Sequence, residues 1–373
     1  MTMPMGVRRG VVGAGSSLIA LAAGLGLGLL LIVIEGVPVG TALTSIVDGA
    51  VGGSTETAAT VARAIPLVGA ALAWMVASRG GLFNVGIDGQ MIVGGITAMM
   101  AALLLDLPPG LHLVVALGAG LLGGAVWAGV ATALWATRGV NEIIATLMLN
   151  LIAVQLLSWL IRGPLHASGQ QFAQTDPVPA SAVWPSIVPQ AGLNWSLVLT
   201  VALMIGVAVL LKASDFGFRL RASAANEKAA RSAGIATVRV RSLGMLLSGG
   251  IAGLVGADLV LGGESQVMSD GFTGTIGFDG IAVALVARTS VVAAALVALV
   301  FAALRQGGSQ LEATTGVSAA PVEVMLGAVI LFVAGSAVLS RRLEVRRVDP
   351  SQPADPQGPS ARLGSPTSPG VGS

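Results

Sequence analysis

Long apolar runs broken by short polar stretches set the pattern of this chain, at Val11–Ile34, 58–78, 90–106, 111–137, 141–161, 196–211, 242–262, 276–287, 289–304 and 322–340. An α-helix rises about 1.5 Å per residue, so runs of roughly 15–25 residues match the ~30 Å of hydrocarbon in a bilayer. The pattern does not show the alternating ten-residue strands of a membrane barrel. It predicts an all-α polytopic membrane bundle of about ten segments within a transmembrane domain at 1–348. Run 276–287 stands out at about 12 residues, or ~18 Å of helix. It either crosses the membrane or forms a re-entrant or broken helix, of the kind tolerated where protein or a water-filled cavity surrounds it. The Pro/Ser/Gly-rich stretch 349–373 lacks an apolar face and predicts a disordered tail.

Composition sharpens this picture. Of 373 residues, 54% are hydrophobic and only 10% are charged, against about 25% charged in soluble domains. Mean hydropathy is +0.87. So little charge cannot cover a water-facing surface. The 52 glycines include the pairs Gly120/Gly124 and Gly249/Gly253, a spacing that lets helix backbones approach closely in a membrane. Cysteine is absent, which excludes disulfides and thiolate chemistry.

The basic residues lie beside the apolar runs, as topology requires, and are not a nucleic-acid signal. A first run that follows Arg8 and Arg9 and lacks a small-residue cleavage signature reads as a retained helix. With the N-terminus inside, Arg79, Arg138, the 212–241 loop, Arg288 and Arg341–Arg347 all fall on the cytoplasmic side. The 35–57, 162–195 and 263–275 loops fall outside, and both termini are cytoplasmic. Arg305 alone dissents.

Polar residues inside this apolar pattern are the candidates for chemistry. In "GLFNVGIDGQ", 81–90, Asn84, Asp88 and Gln90 follow a Gly80–Gly81 break. From Ala64 to Ser78 the apolar run is only about 15 residues, or ~22 Å, so the break begins within the inner half of the membrane. Its side chains either tie helix ends together or build a transport site of the broken-helix type. Asn150 and Gln155 share one run, where amides bond neighbouring helices or line a path. Asp258 and Asp279 are carboxylates in or beside apolar runs, either hydrated from a helix end or used in transport. His112 and His166, without cysteine or an H-E-x-x-H pattern, read as satisfied interfacial side chains. In the 212–241 loop, Ser223–Ala233 predicts a short exposed helix. Ser223 is its N-cap, Glu227 and Arg231 form an i,i+4 pair, and Gly234 is the stop. The only lysines, Lys212 and Lys228, do not sit in G-x-x-x-x-G-K-[ST], so the chain has no P-loop. Energy must come from another chain or an ion gradient.

"GFRLRASAANEKAARSAGI", 217–235, resembles the cytoplasmic coupling loop of bacterial ABC-transporter permeases of the simple-sugar/nucleoside (branched-chain amino acid/ribose-like) class. Arg221, Asn226, Ala229, Ala230, Arg231, Gly234 and Ile235 match, whereas Ala224 stands where the family generally has Gly. The 81–90 stretch resembles G-x-x-N-x-G-x-E-G-Q-M of the nucleoside-importer branch, with Asp88 for the usual Glu. "GVNEIIATLMLNLIA", 139–153, and "GFDGIAVALVAR", 277–288, are similar to two further motifs of that branch, in the same order. The resemblance implies a non-catalytic permease subunit in a bacterial cell membrane. Its partners would be a cytoplasmic ABC ATPase holding the ATP and Mg, a second and different permease, and an extracellular or periplasmic substrate-binding lipoprotein. No cofactor is implied on this chain. Candidate pathway residues are Asn84, Asp88, Gln90, Asn150 and Asp279. Candidate coupling residues are Arg221, Asn226, Glu227, Ala230, Arg231 and Gly234. A simple-sugar permease of the same class is the alternative, and a proton-coupled secondary transporter the alternative from another class.

Overall fold

The structure, a computed structural model, describes residues 22–263, 266–288, 290–329 and 331–332. In chain order its helices are α1 (Ala22–Ile34), α2 (Val39–Val51), α3 (Ser54–Arg79), α4 (Ile87–Leu104), α5 (Leu111–Arg138), α6 (Glu142–Arg162), α7 (Ser196–Ala213), α8 (Asp215–Ala225), α9 (Glu227–Ser232), α10 (Thr237–Gly262), α11 (Ile276–Val286), α12 (Val291–Thr315) and α13 (Ala320–Val329). The beginning of the Val11–Ile34 run, Arg341–Arg347 and the tail at 349–373 lie outside the described residues.

The all-α membrane bundle is as the apolar runs predict, but the segment count differs. Among the described residues, 7 helices are long and apolar enough to cross a bilayer, or 8 if α1 and α2 form one span bent by 118°. Two of the ten expected runs take a different form among the described residues. The first run continues past Gly36–Pro38 into α2, so the expected polar loop at 35–57 contains a 13-residue helix. Run 276–287 yields only the 11-residue α11. Of the last run, 322–340, the described residues include α13 and 331–332, and the rest lies outside them. Conversely α12 runs on to Thr315, well past the end of its apolar run at 304, because Gln306–Thr315 still turns a buried stripe of Gly307, Gly308 and Leu311 toward the bundle.

α3, α4 and α10 form the buried centre, while α7 is largely peripheral. The two predicted glycine pairs meet face to face where α10 crosses α5. A methyl on Gly253 would strike the Gly120 carbonyl and lie 2.7 Å from the Gly124 Cα. That close approach is the small-residue packing expected of helices that have no hydrophobic force between them in lipid.

Two irregular segments enter the bundle from opposite ends. The first, 82–86, folds back from the end of α3, so that Asn84 meets Ser248, 11 residues or ~17 Å into α10. The second, 266–275, is tied to the 163–185 loop by Thr175 N–H to the Met268 carbonyl (3.0 Å) and Val178 N–H to the Gln266 carbonyl (2.8 Å). It delivers α11 into the interior, where a methyl on Gly280 would collide with Ala70 at mid-α3. α11 is therefore a half-length helix that starts inside the bundle, the broken-helix alternative for 276–287. A short antiparallel hairpin, β1 (Ser186–Val188) and β2 (Leu193–Asn194), turns through a 3-10 segment at Pro189–Ala191 and covers the same end as the 266–275 segment.

Candidate functional site

At the end of α3, Gly81 adopts φ +73°, a left-handed turn that glycine takes without strain. The chain then runs without regular structure to Ile87. Asn84 is fully buried and uses its whole hydrogen-bonding valence. Its Nδ2 donates to Gln90 Oε1 (2.8 Å) and Ser248 Oγ (2.9 Å). Its Oδ1 accepts from the Gly86 N–H (2.9 Å) and Gln90 Nε2 (3.1 Å). Ser248 passes its own proton to the Ala73 carbonyl at 2.6 Å. Asn150 on α6 does the same for the other side of the break. Its Nδ2 donates to the Val85 carbonyl (2.9 Å) and its Oδ1 accepts from the Gly89 N–H (2.9 Å). Backbone groups freed by irregular chain inside a membrane must be satisfied by protein. Asn84, Gln90 and Asn150 do this, and they lock α3, α4, α6 and α10 to one another.

Asp88 points elsewhere. Two residues along a helix turn roughly 200°, so Asp88 and Gln90 occupy opposite faces of α4. Asp88 faces the second irregular segment, with the Thr273 hydroxyl toward its carboxylate. A methyl on Gly277 would lie 2.7 Å from the Asp88 Cβ, so only glycine lets α11 start against this turn. Asp88 Oδ1 is buried without a hydrogen-bond partner. The first turn of α4 and the first turn of α11 thus meet at one carboxylate in the bundle interior.

Asp279 lies one turn into α11, away from the Asn84 cluster. Its Oδ2 accepts from Arg305 Nη2 (2.6 Å) and from Thr275 Oγ1 (2.7 Å), and the same Arg305 nitrogen donates to Thr275 Oγ1 (2.6 Å). Arg305, the residue that broke the charge pattern, is therefore a three-quarters buried partner of the Asp279 carboxylate. That dissent was the signal that could have identified it. Gln155 is exposed on α6, and His112 is buried and held by Ser181 Oγ at 2.8 Å.

The coupling-loop residues form two helices, not one. Ser223 is inside α8, where its Oγ donates to the Arg219 carbonyl (2.7 Å), so it is not the N-cap. That role belongs to Asn226, whose extended backbone breaks the helix and whose Oδ1 accepts from the Ala229 N–H at 3.0 Å. An amide acceptor followed at once by Glu227 suits a helix start better than a serine already bonded backwards. Arg231 pairs with Glu227 at i,i+4 and donates from Nε to Thr237 Oγ1 at 3.0 Å. Gly234 (φ +82°) ends α9, Ala230 is buried beneath it, and Arg221 is half-buried on α8. Between α8 and α9 lies a groove of about 600 Å³, lined by Phe218, Arg219, Asn226, Ala230 and Gly234 among others.

Arg241, at the start of α10, joins this element to the break. Its Nη1 donates to Glu227 Oε2 (3.2 Å), its Nη2 to the Gly81 carbonyl (3.2 Å), and its guanidinium sits 5.0 Å from the Trp135 ring centre. Nothing in the local sequence marks Arg241, because each of its partners comes from a different part of the chain.

Residues 56–334 match the model of the branched-chain amino acid transport system / permease component family. The chain is 34% identical to the glucose ABC transporter permease protein TsgB13 of Haloferax volcanii over 80% of this chain and 82% of that one. It is 31% identical to the guanosine ABC transporter permease protein NupP of Bacillus subtilis over 86% of this chain and 92% of that one. It is 30% identical to the nucleoside ABC transporter permease protein NupB of Lactococcus lactis subsp. cremoris over 72% and 76%. With its interrupted helices and its paired α8–α9 element, the chain belongs to the branched-chain amino acid transport system / permease component family and is an ABC-transporter permease.

Proposed function

We propose that this permease forms the translocation pathway of a nucleoside importer in a bacterial cell membrane, with both termini cytoplasmic. A separate cytoplasmic ATPase holds ATP and Mg and docks on the α8–α9 groove through Arg221, Asn226, Glu227, Ala230, Arg231 and Gly234. A second, different permease and an extracellular or periplasmic substrate-binding lipoprotein complete the assembly. The observation that carries the reading is the bonded route from Glu227 through Arg241 to the Gly81 carbonyl. ATPase closure that shifts α9 pulls on the turn that opens the 81–90 break. Such a shift moves the equilibrium between outward- and inward-open states only if α9 has different contacts in each, and Arg241 supplies contacts that can change. Asp88 and Asp279 stand at the pathway, and Asn84, Gln90 and Asn150 hold the shape of its wall.

The names of NupP and NupB, with the motifs at 81–90 and 139–153, support nucleosides as the solute. TsgB13, named for glucose, supports a simple-sugar permease as the second reading. The test is a reconstituted complex with labelled guanosine and labelled glucose. ATP-dependent guanosine uptake is expected. Glucose uptake without guanosine uptake would favour the second reading. Uptake driven by a proton gradient without ATP would overturn the ABC mechanism altogether.

A further inference from the structure

The two amides of α6 point to opposite sides. Asn150 and Gln155 are five residues apart, which turns about 140° around the helix axis. Asn150 is buried and bonds the 81–90 break. Gln155 is exposed, and its side chain has no hydrogen-bond partner among the described residues. It lies seven residues before Arg162, the last residue of α6, or ~10 Å along the axis. The helix has 21 residues, so its ~31 Å matches the thickness of the hydrocarbon and places this amide well inside it. The stem of a glutamine, unlike that of a lysine or arginine, is too short to lift its polar end back to the headgroups. Hydrocarbon gives an amide no hydrogen bond, so lipid is a costly neighbour for this side chain.

The surroundings of Gln155 narrow what covers it. Toward the inner end the same face exposes Ile144, Met148, Leu151 and Ile152, an apolar stripe unsuited to the wall of a water-filled path. Toward the outer end the polar groups satisfy one another, since Asp270 accepts from the Ser158 hydroxyl and from Arg162 Nη2. Gln155, Ser158, Trp159, Arg162 and Gly163 line an open hollow of about 480 Å³, so an indole and an unmet amide share one concavity. Helix α7 is the contrast. Both helices are largely uncovered by the rest of the chain. Yet α7 exposes Val198, Val201, Ile205 and Val209, and no polar residue between Ser196 and Lys212 is exposed. That is a surface for lipid. The α6 face, apolar with an amide and a hollow in its outer half, is a surface for another membrane helix, because amides in membrane helices bond across to a neighbour.

We propose that the exposed face of α6, from Met148 to Trp159, packs against a membrane helix of the second permease. That helix presents a hydrogen-bonding side chain to Gln155 and an apolar side chain to the hollow beside Trp159. The inference rests on the reading that two permeases assemble. Of the partners in that assembly, only the second permease lies within the bilayer, as this face does. The chain has no cysteine, so single labels can be placed. The complete complex of both permeases and the ATPase is reconstituted with phospholipids brominated in mid-chain, with bimane on Gln155→Cys or, for reference, on Val201→Cys in α7. The label at 201 should be strongly quenched by the lipid, and the label at 155 at least about threefold less, since an interhelical contact keeps acyl chains away. A benzophenone at 155 should crosslink to the second permease on illumination. Gln155→Leu should weaken association of the two permeases about three- to tenfold. Equal quenching at 155 and 201, with benzophenone adducts on lipid alone, overturns the proposal and leaves the importer reading intact. So does reaction of Gln155→Cys with a water-soluble thiol reagent as fast as that of Gln170→Cys, which would make this face a wall of the aqueous path. A crosslink to another copy of this chain has the opposite meaning: the α6 face stands as a membrane interface and the reading of a second, different permease fails.

Discussion

Replacing Arg241 with Ala removes the one side chain that contacts α9, the Gly81 turn and the Trp135 ring together. Arg241 is only 16% exposed, so its bonds are shielded from water and count for more than a surface pair. A hydrogen bond involving a charged group contributes about 1.5–3 kcal/mol, and a guanidinium over an indole about 0.5–2 kcal/mol. Glu227 keeps Arg231, so it is not left without a cation and part of its bonding survives. The Gly81 carbonyl, at the bundle end, can turn to water. The net loss is therefore about 2–4 kcal/mol of contact between the coupling element and the break, well short of unfolding a bundle of this size. The assay is a reconstituted complex in which ATP hydrolysis and labelled guanosine uptake are measured on the same vesicles. Hydrolysis should persist, while uptake per ATP falls about tenfold or more, since ~1.4 kcal/mol of lost differential contact already costs a factor of ten. Arg241→Lys keeps the charge but cannot hold two acceptors with one fork, so it should fall between the two. A cycle with Glu227→Gln should show non-additivity of about 0.5–3 kcal/mol. Unchanged uptake per ATP in Arg241→Ala, or strict additivity in the cycle, would refute the idea that this route transmits the push.

Asp88→Asn should assemble normally but transport poorly, because it places an N–H₂ donor against the crowded start of α11; Asp88→Glu should do both, and equal transport by all three would return the carboxylate to a purely structural role. Gly253→Val should block assembly, read as loss of the folded peak in gel filtration, since its side chain would overlap α5 backbone. For topology, an impermeant thiol reagent on intact cells should label Gln170→Cys and spare Lys228→Cys, and the reverse pattern would invert the orientation. The Asp270 carboxyl is held below the usual carboxylate range by the Ser158 hydroxyl and by Arg162. A depressed carboxyl stabilises above its unfolded value of 3.8 and loses that contribution as pH falls through its lower folded value. Both partners are exposed, so the loss should be only ~0–1 kcal/mol, seen as a slightly steeper fall of melting temperature below about pH 4 than in Asp270→Asn.

Which features were legible in the sequence follows from the range of the forces that set them. Apolar run length is a local property fixed by bilayer thickness, so the helical bundle could be read directly. Glycine spacing is local too, and Gly120/Gly124 and Gly249/Gly253 found each other as that spacing implies. The single predicted helix at Ser223–Ala233 failed on competition between two adequate caps, which composition alone could not rank. Run length also misjudged α12, because a helix that packs against protein need not stay apolar all round. The candidate site was legible only in part. Residues 84, 88 and 90 announced themselves as polarity in the wrong place, but not that they divide between two faces. That division depends on α11, whose Gly277 lies 189 positions further along the chain than Asp88. It is nonetheless what gives the arrangement its use. Asn84, Gln90 and Asn150 have their hydrogen bonds satisfied within one rigid cluster, so breaking that cluster to move α4 against α10 would leave several buried polar groups unmet at once. Asp88 has one oxygen left open, is met by the Thr273 hydroxyl and packs tightly on Gly277, so fewer hydrogen bonds join those two surfaces. The two faces of this turn therefore differ in kind: the Asn84 cluster ties α4 to α3, α6 and α10 through side-chain hydrogen bonds, whereas the Asp88 face meets α11 across Gly277.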